Sequence, residues 1–355
     1  MDGLHYSQLF IPNHYLEGLI ERRTMGKVRQ NESGFTLVEL LITIAVFGII
    51  FTSVLKVFHI HHYAYSVQVE VAAMQQNLRS AKMFIETDVR MAGCGLRNFS
   101  HDDERVYALN FENANGATGS DKLTVTYIDY SNTACDGLLP QLTLAAEMPE
   151  SSSEAEVNED LETAPYSAWD EEFTCNGSTY GGTPFVAFKA IVTAPDGTRS
   201  DVLYVTTVQA NSSKLQNRPY DGFNNTVLNT YPSGSIISLF NEDKLTELSY
   251  YVVDGVLYRN SESIAENIED LQFAFGLDTN GDGTVDSWIK DADLTNTQKD
   301  QVRSVRINVL GRTGKADNNF SGSRPAIEDH AASGTGDGYR RKLLQVTVKV
   351  RNLGL

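Results

Sequence analysis

The sequence predicts an α+β protein: a long amino-terminal α-helix, membrane-spanning in its first half, packs on an antiparallel β-sheet head with long loops. Three observations predict this fold class. Residues 34–58 form an almost unbroken apolar run. Residues 59–95 repeat apolar side chains every three or four positions, as one face of a helix does. Later segments alternate apolar and polar residues, as half-buried strands do.

The apolar run reads GFTLVELLITIAVFGIIFTSVLKVF. About 20 apolar residues in a helix cross the hydrocarbon core of a bilayer, so residues 35–58 are predicted to be a membrane-spanning segment. Basic residues before the run, such as Lys27 and Arg29, place its start on the cytoplasmic side. Glu39 is the one acid within the run, and a carboxylate retained there indicates a specific positive partner.

The predicted helix continues through residues 59–95 as an amphipathic segment. The turn Gly93-Cys94-Gly95 is predicted to end it. Its apolar face consists of Val71, Met74, Leu78, Ala81, Ile85, Val89 and Ala92.

Residues 96–355 are predicted to form one β-rich globular head. Asp254-Gly255 between two apolar runs is a strong hairpin signal. Two polar stretches, 146–163 and 311–339, are predicted to be long loops, the first of them mobile because it is acidic and poor in apolar residues. The predicted strands lie at 122–130, 201–208, 235–240, 247–260, 271–277, 302–311 and 342–352.

The composition narrows the possible functions. A net charge of −17 argues against a nucleic-acid partner, because phosphate binding needs a basic surface. The sequence contains no G-x-S-x-G, H-E-x-x-H or phosphate-loop motif, so we predict that the protein is not an enzyme. All three cysteines follow the apolar run, on the side where disulfides persist. Cys135 with Cys175 is the favoured of three pairings, and the pairings with Cys94 stay open.

One stretch has the pattern of a calcium loop. Oxygen-bearing side chains recur at alternate positions, and Gly283 permits a sharp turn. The pattern matches nine positions of an EF-hand loop but has Ile289 where a bidentate glutamate is expected, with Asp291 or Asp293 as possible substitutes. The alternative is a polar hairpin turn. The predicted ligands are Asp278, Asn280, Asp282, Thr284 and Asp286.

The junction Gly34-Phe35-Thr-Leu-Val-Glu39 resembles the processing motif of type IV prepilins and type II secretion pseudopilins. The resemblance implies that a membrane prepilin peptidase cuts between Gly34 and Phe35 and methylates the new amine. Glu39 would then pair with the amino terminus of a neighbouring subunit during assembly. Residues 1–34 are the implied leader. We expect Met25 to be the true start, which would give a ten-residue leader, and a genuinely long leader is the alternative. A plain membrane anchor would need neither Glu39 nor the glycine junction.

Beyond the leader, the chain resembles PilW-like minor pilins, relatives of GspJ-type pseudopilins. The blocks that carry this resemblance are DVRMAGCG (88–95), IEDLQFAFGLDTNGDGTVD (268–286), VRSVRINVLGR (302–312) and YRRKLLQVTVKVRN (339–352).

The resemblance implies a minor subunit that joins other minor and major pilins at the tip of a type IV pilus and primes assembly. It also implies contact with the inner-membrane assembly platform. The chain would first span the inner membrane with a periplasmic head and later reach the pilus surface. The alternatives are a GspJ-like pseudopilin of type II secretion, and a calcium-dependent tip adhesin whose loops bind a ligand.

Overall fold

The computed structural model describes residues 34–114, 119–290 and 292–353. The chain divides into two compact units, residues 1–62 and 63–355. The predicted leader, apart from Gly34, lies outside the described residues, and so does the expected start at Met25.

A single helix, α1, spans Leu37–Met91. Its large apolar side chains in residues 37–62 are exposed, whereas those on the predicted face of residues 63–91 are buried. The helix ends where Gly93 and Gly95 adopt φ angles of +78° and +74°, in the left-handed region that glycine tolerates best. The predicted helix and its buried face are therefore confirmed. The buried members of that face are Met74, Leu78, Ala81, Ile85, Val89 and Ala92.

The rest of the described chain is built mainly of short strands and one small helix, α2 (Asn296–Gln301). The strands are β1 (Phe99–His101), β2 (Glu104–Arg105), β3 (Leu109–Glu112), β4 (Lys122–Ile128), β5 (Leu142–Thr143), β6 (Glu154–Glu156), β7 (Phe173–Cys175), β8 (Ser178–Tyr180), β9 (Phe188–Thr193), β10 (Ser200–Val205), β11 (Thr207–Gln209), β12 (Lys214–Gln216), β13 (Ile236–Leu239), β14 (Leu245–Val253), β15 (Val256–Arg259), β16 (Glu262–Glu266), β17 (Ile268–Leu277), β18 (Ser287–Ile289), β19 (Val302–Arg312) and β20 (Arg341–Lys349).

Among the described residues these strands form five sheets. The six-stranded sheet has the order β2-β1-β10-β9-β13-β5, the five-stranded sheet β16-β15-β14-β4-β3, and the four-stranded sheet β18-β17-β19-β20. Two small sheets, β11-β12-β6 and β7-β8, complete the set. The pairing is antiparallel as predicted, except that β1 and β10 run parallel.

The sheets enclose two main hydrophobic cores. The first core joins the buried face of α1 to the four-stranded and five-stranded sheets. The second core lies against one face of the six-stranded sheet and contains the buried Trp169 and Tyr231. A small third cluster around Phe99 and Phe240 lies on the other face of that sheet.

The acidic stretch 146–163 differs from the predicted mobile loop. It contains β6 and contributes Met148, Ala155, Val157 and Leu161 to the second core, each at most 3% exposed. The prediction relied on average composition, which hides a local alternation in which apolar residues face inward and glutamates face water.

The second predicted loop, 311–339, also differs in detail. β19 extends to Arg312 and β20 begins at Arg341, so the irregular segment is 313–340. This segment is fixed to the sheet by ion pairs, including Arg306 Nε to Glu328 Oε1 at 2.7 Å. Ion pairs between side chains, rather than regular backbone pairing, therefore attach segment 313–340 to the sheet.

Candidate assembly site and acidic loop

The first turn of α1 holds Glu39, the predicted assembly residue. Glu39 Oε2 accepts hydrogen bonds from the Thr36 backbone N–H at 2.9 Å and from the Thr36 hydroxyl at 3.0 Å. The Glu39 N–H donates to Thr36 Oγ1 at 3.2 Å. This reciprocal pair is a capping box, which satisfies N–H groups that a helix start leaves without partners. The T-x-x-E spacing from Thr36 to Glu39 is the sequence signal of this capping box.

The predicted processing residues, Gly34 and Phe35, lie just before this capping box. Both are exposed, and no other atom lies within 4 Å of a Cβ placed on Gly34. By length and composition, α1 is the one helix in the described part of the chain that can cross a membrane.

Further along α1, a buried acid fixes the helix to the head. Asp88 Oδ2 accepts a hydrogen bond from Arg259 Nε at 2.8 Å and another from the Tyr250 hydroxyl. Burial and the bond to Asp88 raise the pKa of Tyr250, and the bond to Asp88 raises the pKa of Arg259. The sequence reasoning missed this trio, because an acid within an amphipathic helix normally faces water.

Two further contacts define how closely the helix approaches the sheets. A Cβ added to Gly311 of β19 would lie 3.0 Å from Leu78 Cγ and 3.2 Å from Met74 Cγ, so glycine permits this close approach. At the carboxyl end of α1, Asn352 Nδ2 donates to the carbonyl oxygen of Ala92 at 3.2 Å. An amide donor there satisfies a carbonyl that the helix leaves without a partner.

The acidic loop connects β17 to β18, so it lies in a β-hairpin as its flanks predicted. Asp278 is 2% exposed. Its Oδ1 accepts the Gly281 N–H at 2.6 Å, and its Oδ2 accepts the Gly283 N–H at 3.0 Å and Arg303 Nε at 3.1 Å. Burial alone would raise the pKa of Asp278, but the two backbone bonds and the charge of Arg303 lower it overall.

The other predicted ligands surround the same turn. The Asn280 amide donates to Asp282 Oδ2 at 3.2 Å and to Asp286 Oδ1 at 3.3 Å, so it lies between two carboxylates. Asp282 Oδ1 also accepts the Thr284 N–H at 2.8 Å. The loop therefore gathers the oxygen atoms that a hard cation prefers, although one amide donor now bridges two of the acids.

The substitutes considered for the twelfth loop position do not complete the set. Asp293 Oδ1 accepts the Asn113 N–H at 2.8 Å, so this carboxylate already has a partner elsewhere. Asp291 lies outside the described residues. Ile289 belongs to β18, whose pairing with β17 closes the hairpin.

Cys135 and Cys175 form a disulfide with a Cα–Cα distance of 5.4 Å. Cys94 is a free thiol of intermediate exposure in the turn after α1. The bridge therefore joins the segment after β4 to the end of β7.

The comparisons with known proteins bear on both ends of the chain. Residues 29–55 match the family model described as Prokaryotic N-terminal methylation motif, and residues 243–352 match the model described as Type IV Pilus-assembly protein W. The chain is therefore similar to PilW-like pilins over these two segments. A solved structure of a type IV-like pilin from Thermus thermophilus aligns with 79% of this chain and 97% of its own, at 8% identity and a TM-score of 0.33. No curated protein gives a significant match.

Each of the two matched segments contains some of the residues described above. The methylation-motif segment contains Gly34, Phe35 and Glu39, and together with the apolar helix it indicates membrane anchoring of a head domain. The PilW segment contains Arg259, Gly311 and the acidic loop. The head-side partners of α1 described above, Arg259 and Gly311, therefore lie in the segment that matches the PilW model.

A second charged group surrounds Lys189, and the sequence alone does not reveal it. His101 precedes Asp102, Asp103 and Glu104, a charged pattern typical of a solvated turn, but its side chain is only 11% exposed. Lys189 Nζ lies 2.9 Å from His101 Nε2, 3.1 Å from Asp102 Oδ1 and 2.9 Å from Glu242 Oε1. His101, Asp102 and Glu242 could together ligate a metal, but the Lys189 ammonium already lies among them and balances their charge.

Proposed function

We propose that this protein is a PilW-like minor subunit of a type IV pilus that joins other minor and major pilins at the tip and primes assembly. A prepilin peptidase cuts between Gly34 and Phe35 and methylates the new amine. The chain first spans the inner membrane with its head in the periplasm. The assembly platform then moves it into the pilus, at the cell surface. Its role is structural rather than catalytic.

The observation that carries this proposal is a Gly34–Phe35 junction in front of an exposed apolar helix, in a chain that also contains a PilW segment. Cleavage frees a positive amine on Phe35. In a low-dielectric filament core, a carboxylate is stable only with such a partner, and the attraction between opposite charges is stronger there than in water. The capping box fixes Glu39 at the helix start, where a neighbouring amine can take over one of its oxygens.

Mass spectrometry of the native protein tests the processing step. We expect the mature chain to begin with N-methylated Phe35. Retention of any residue before Phe35 would contradict the proposed cleavage.

Gene deletion tests the biological role. We expect surface pili to be lost. If pili persist while export of secreted enzymes stops, the chain is a GspJ-like pseudopilin of type II secretion. If pili persist after deletion but adhesion is lost, and calcium chelation abolishes adhesion of the wild-type strain, the chain is a tip adhesin instead.

We also propose that the acidic loop binds calcium. Support comes from the gathering of the Asp278, Asp282 and Asp286 carboxylates in one turn and from the Asn280 amide between two of them. Calcium would enter where that amide now donates, after rotation of the Asn280 side chain presents its oxygen. Asp278 is a poor residue to mutate in a test, because its bonds to Arg303 and two backbone N–H groups stabilise the loop without any cation.

Asp282→Asn tests calcium binding, since asparagine can still accept the Thr284 N–H while losing the charge. Saturating calcium should raise the thermal unfolding midpoint of the wild-type chain by about 4 °C, and the variant should lose most of that shift. Asp196→Asn is a matched control, because Asp196 Oδ1 accepts the same two bonds from Thr198, at 3.0 and 2.7 Å. An equal midpoint in calcium and in chelator would count against the site.

A further inference from the structure

A cleft of about 920 Å³ lies beside the third hydrophobic cluster, on the face of the six-stranded sheet that the second core leaves free. Its floor comes from β9 and β13, through Ile191, Thr193 and Ser238. One wall is the turn after α1 and the end of β4, and the other is the loop that begins at the disulfide residue Cys135. Small-molecule sites favour such concave positions between separately packed parts of a protein.

Three polar side chains at this cleft have no internal partner. Arg97, Tyr130 and Gln141 line it, are exposed, and make no side-chain hydrogen bond or ion pair with any residue that the structure describes. Arg97 is the charged member of the three, and a guanidinium that lines a cleft without an ion-pair partner offers its bidentate donors to a ligand there.

The Tyr130 ring is presented to solvent by the shape of its surroundings. The residue is 65% exposed. A Cβ on Gly95 would lie 2.6 Å from the Tyr130 hydroxyl oxygen and 2.9 Å from Ile128 Cβ, so a side chain at position 95 would displace the ring. Gly95 also has a φ of +74°. An aromatic ring fixed at the edge of a cleft offers a flat apolar face next to polar groups.

The cleft does not have the features of a peptide-binding groove. An extended peptide binds by adding a strand to a free sheet edge, but β9 is paired on both sides, with β10 and β13, and β13 is paired with β9 and β5. A helical peptide needs a continuous apolar groove, whereas this floor mixes Ile191 with Thr193 and Ser238. Recognition must therefore come from side chains.

We propose that this cleft binds an acidic saccharide, with a sugar ring against Tyr130 and a uronic-acid carboxylate on Arg97. Gln141 supplies an amide for sugar hydroxyls. The aromatic face matches the C–H side of a pyranose ring, and the guanidinium matches its carboxylate. This inference does not depend on pilus assembly, since the cleft lies wholly within residues 63–355.

The test uses the full-length chain in detergent and a fluorescein-labelled oligogalacturonate, with the same oligosaccharide after carboxyl reduction as the neutral probe. We expect anisotropy titrations to show saturable binding of the acidic probe and at least about tenfold weaker binding of the neutral one, since loss of a charge-assisted bidentate contact removes that much. Arg97→Gln and Tyr130→Ala should each weaken acidic-probe binding by about tenfold.

Two control variants test whether any loss of saccharide binding is specific to the cleft. Arg218→Gln and Tyr65→Ala remove an exposed arginine and an exposed tyrosine away from the cleft, and they should leave binding unchanged. Unfolding curves of all four variants should coincide with wild type, because the four side chains are exposed.

Four results would overturn the proposal. They are no binding of the acidic probe by wild type, equal binding of both probes, equal losses in cleft and control variants, or binding of a labelled poly-glutamate peptide but of neither saccharide. None of these results bears on piliation in the deletion strain, so failure here and failure of the pilus role are distinguishable.

Discussion

The side chains in the two parts of α1 have different kinds of partner. In residues 37–62 the large apolar side chains are exposed, and the hydroxyl groups of Thr43, Thr52 and Ser53 donate back to carbonyl oxygens four residues earlier. In residues 63–91 a buried face meets a sheet, and Asp88 pairs with residues distant in sequence.

The difference indicates what each part is built to contact. The first part needs no other part of its own chain for its polar groups, which suits an environment of lipid or of other apolar helices. The second part depends on a fixed partner, because an acid such as Asp88 is costly to bury alone. Mutations in the two parts should therefore affect different properties: assembly for the first and head stability for the second.

The largest effect is expected at Glu39. Glu39→Gln keeps a side chain that can complete the capping box with Thr36 but removes the charge. We expect the unfolding curve of the head to be unchanged, while the amount of the chain recovered in sheared pili falls by at least about tenfold, as loss of a buried ion pair predicts. Glu39→Ala, which also removes the cap, should give the same loss. Normal incorporation of the glutamine variant would refute the charge-pairing role.

The second effect is expected at Asp88. Asp88→Ala leaves Arg259 and Tyr250 without their buried acceptor and should lower the free energy of unfolding by about 3 kcal/mol in denaturant titrations. Glu86→Ala, two residues earlier, removes only ion pairs within the helix to Lys82 and Arg90 and should cost under about 1 kcal/mol. If the two variants lost similar amounts of unfolding free energy, the contact of Asp88 with Arg259 and Tyr250 would not stabilise the head more than a surface ion pair does.

Local patterns in the sequence predicted the parts of the fold that local physics controls. The apolar spacing on α1 identified its buried face, and the Asp254-Gly255 hairpin has the two positive φ angles, +51° and +77°, that such a turn requires. The long strands β17, β19 and β20 alternate over enough residues to be recognised.

Long-range pairing accounts for what the sequence could not predict. Asp88 and Arg259 are 171 residues apart, so nothing near Asp88 reveals that it is buried. Lys189 likewise is buried only because His101, Asp102 and Glu242 arrive from other elements. Strands of two or three residues, such as β5 and β6, are too short for an alternation to be distinguished from chance. Of the candidate sites, the acidic loop and the helix start are contiguous in sequence and could be found, whereas the cleft is assembled from distant segments.

A smaller effect is expected at Gly311 of β19, which lies close to Leu78 and Met74 of the helix. Gly311→Ala would force Leu78 and Met74 to move and should destabilise the head by about 2 kcal/mol, as overpacking does. Gly48→Ala in the first part of α1 is the matched change, with no atom within 4 Å of the added Cβ. It should leave the head unchanged, because alanine is favoured in a helix interior. A neutral Gly311→Ala would show that the contact between helix and sheet is adaptable.

The smallest expected effect is a dependence of the stability of the head on pH. Asp121 is fully buried, and burial raises its pKa to about 7 against the donation of two backbone N–H groups, from Phe273 and Ala114. Because the folded state holds this proton more tightly than the unfolded chain, whose aspartate titrates near pH 4, stability should fall as pH rises from about 4 to 7. The part due to Asp121 is about 1 to 2 kcal/mol between pH 5 and pH 7.

Asp121→Asn tests this dependence through the slope of stability against pH, because the substitution also exchanges one acceptor for a donor and will lower stability at every pH. Denaturant titrations at pH 5, 6 and 7 should show a flatter profile for the variant than for wild type. Asp196→Asn should keep the wild-type slope, since hydrogen bonds from Thr198 lower the pKa of Asp196, away from the range in which Asp121 titrates. If Asp121→Asn instead parallels wild type throughout, then Asp121 is ionised across this range and its two N–H donors outweigh the cost of burial.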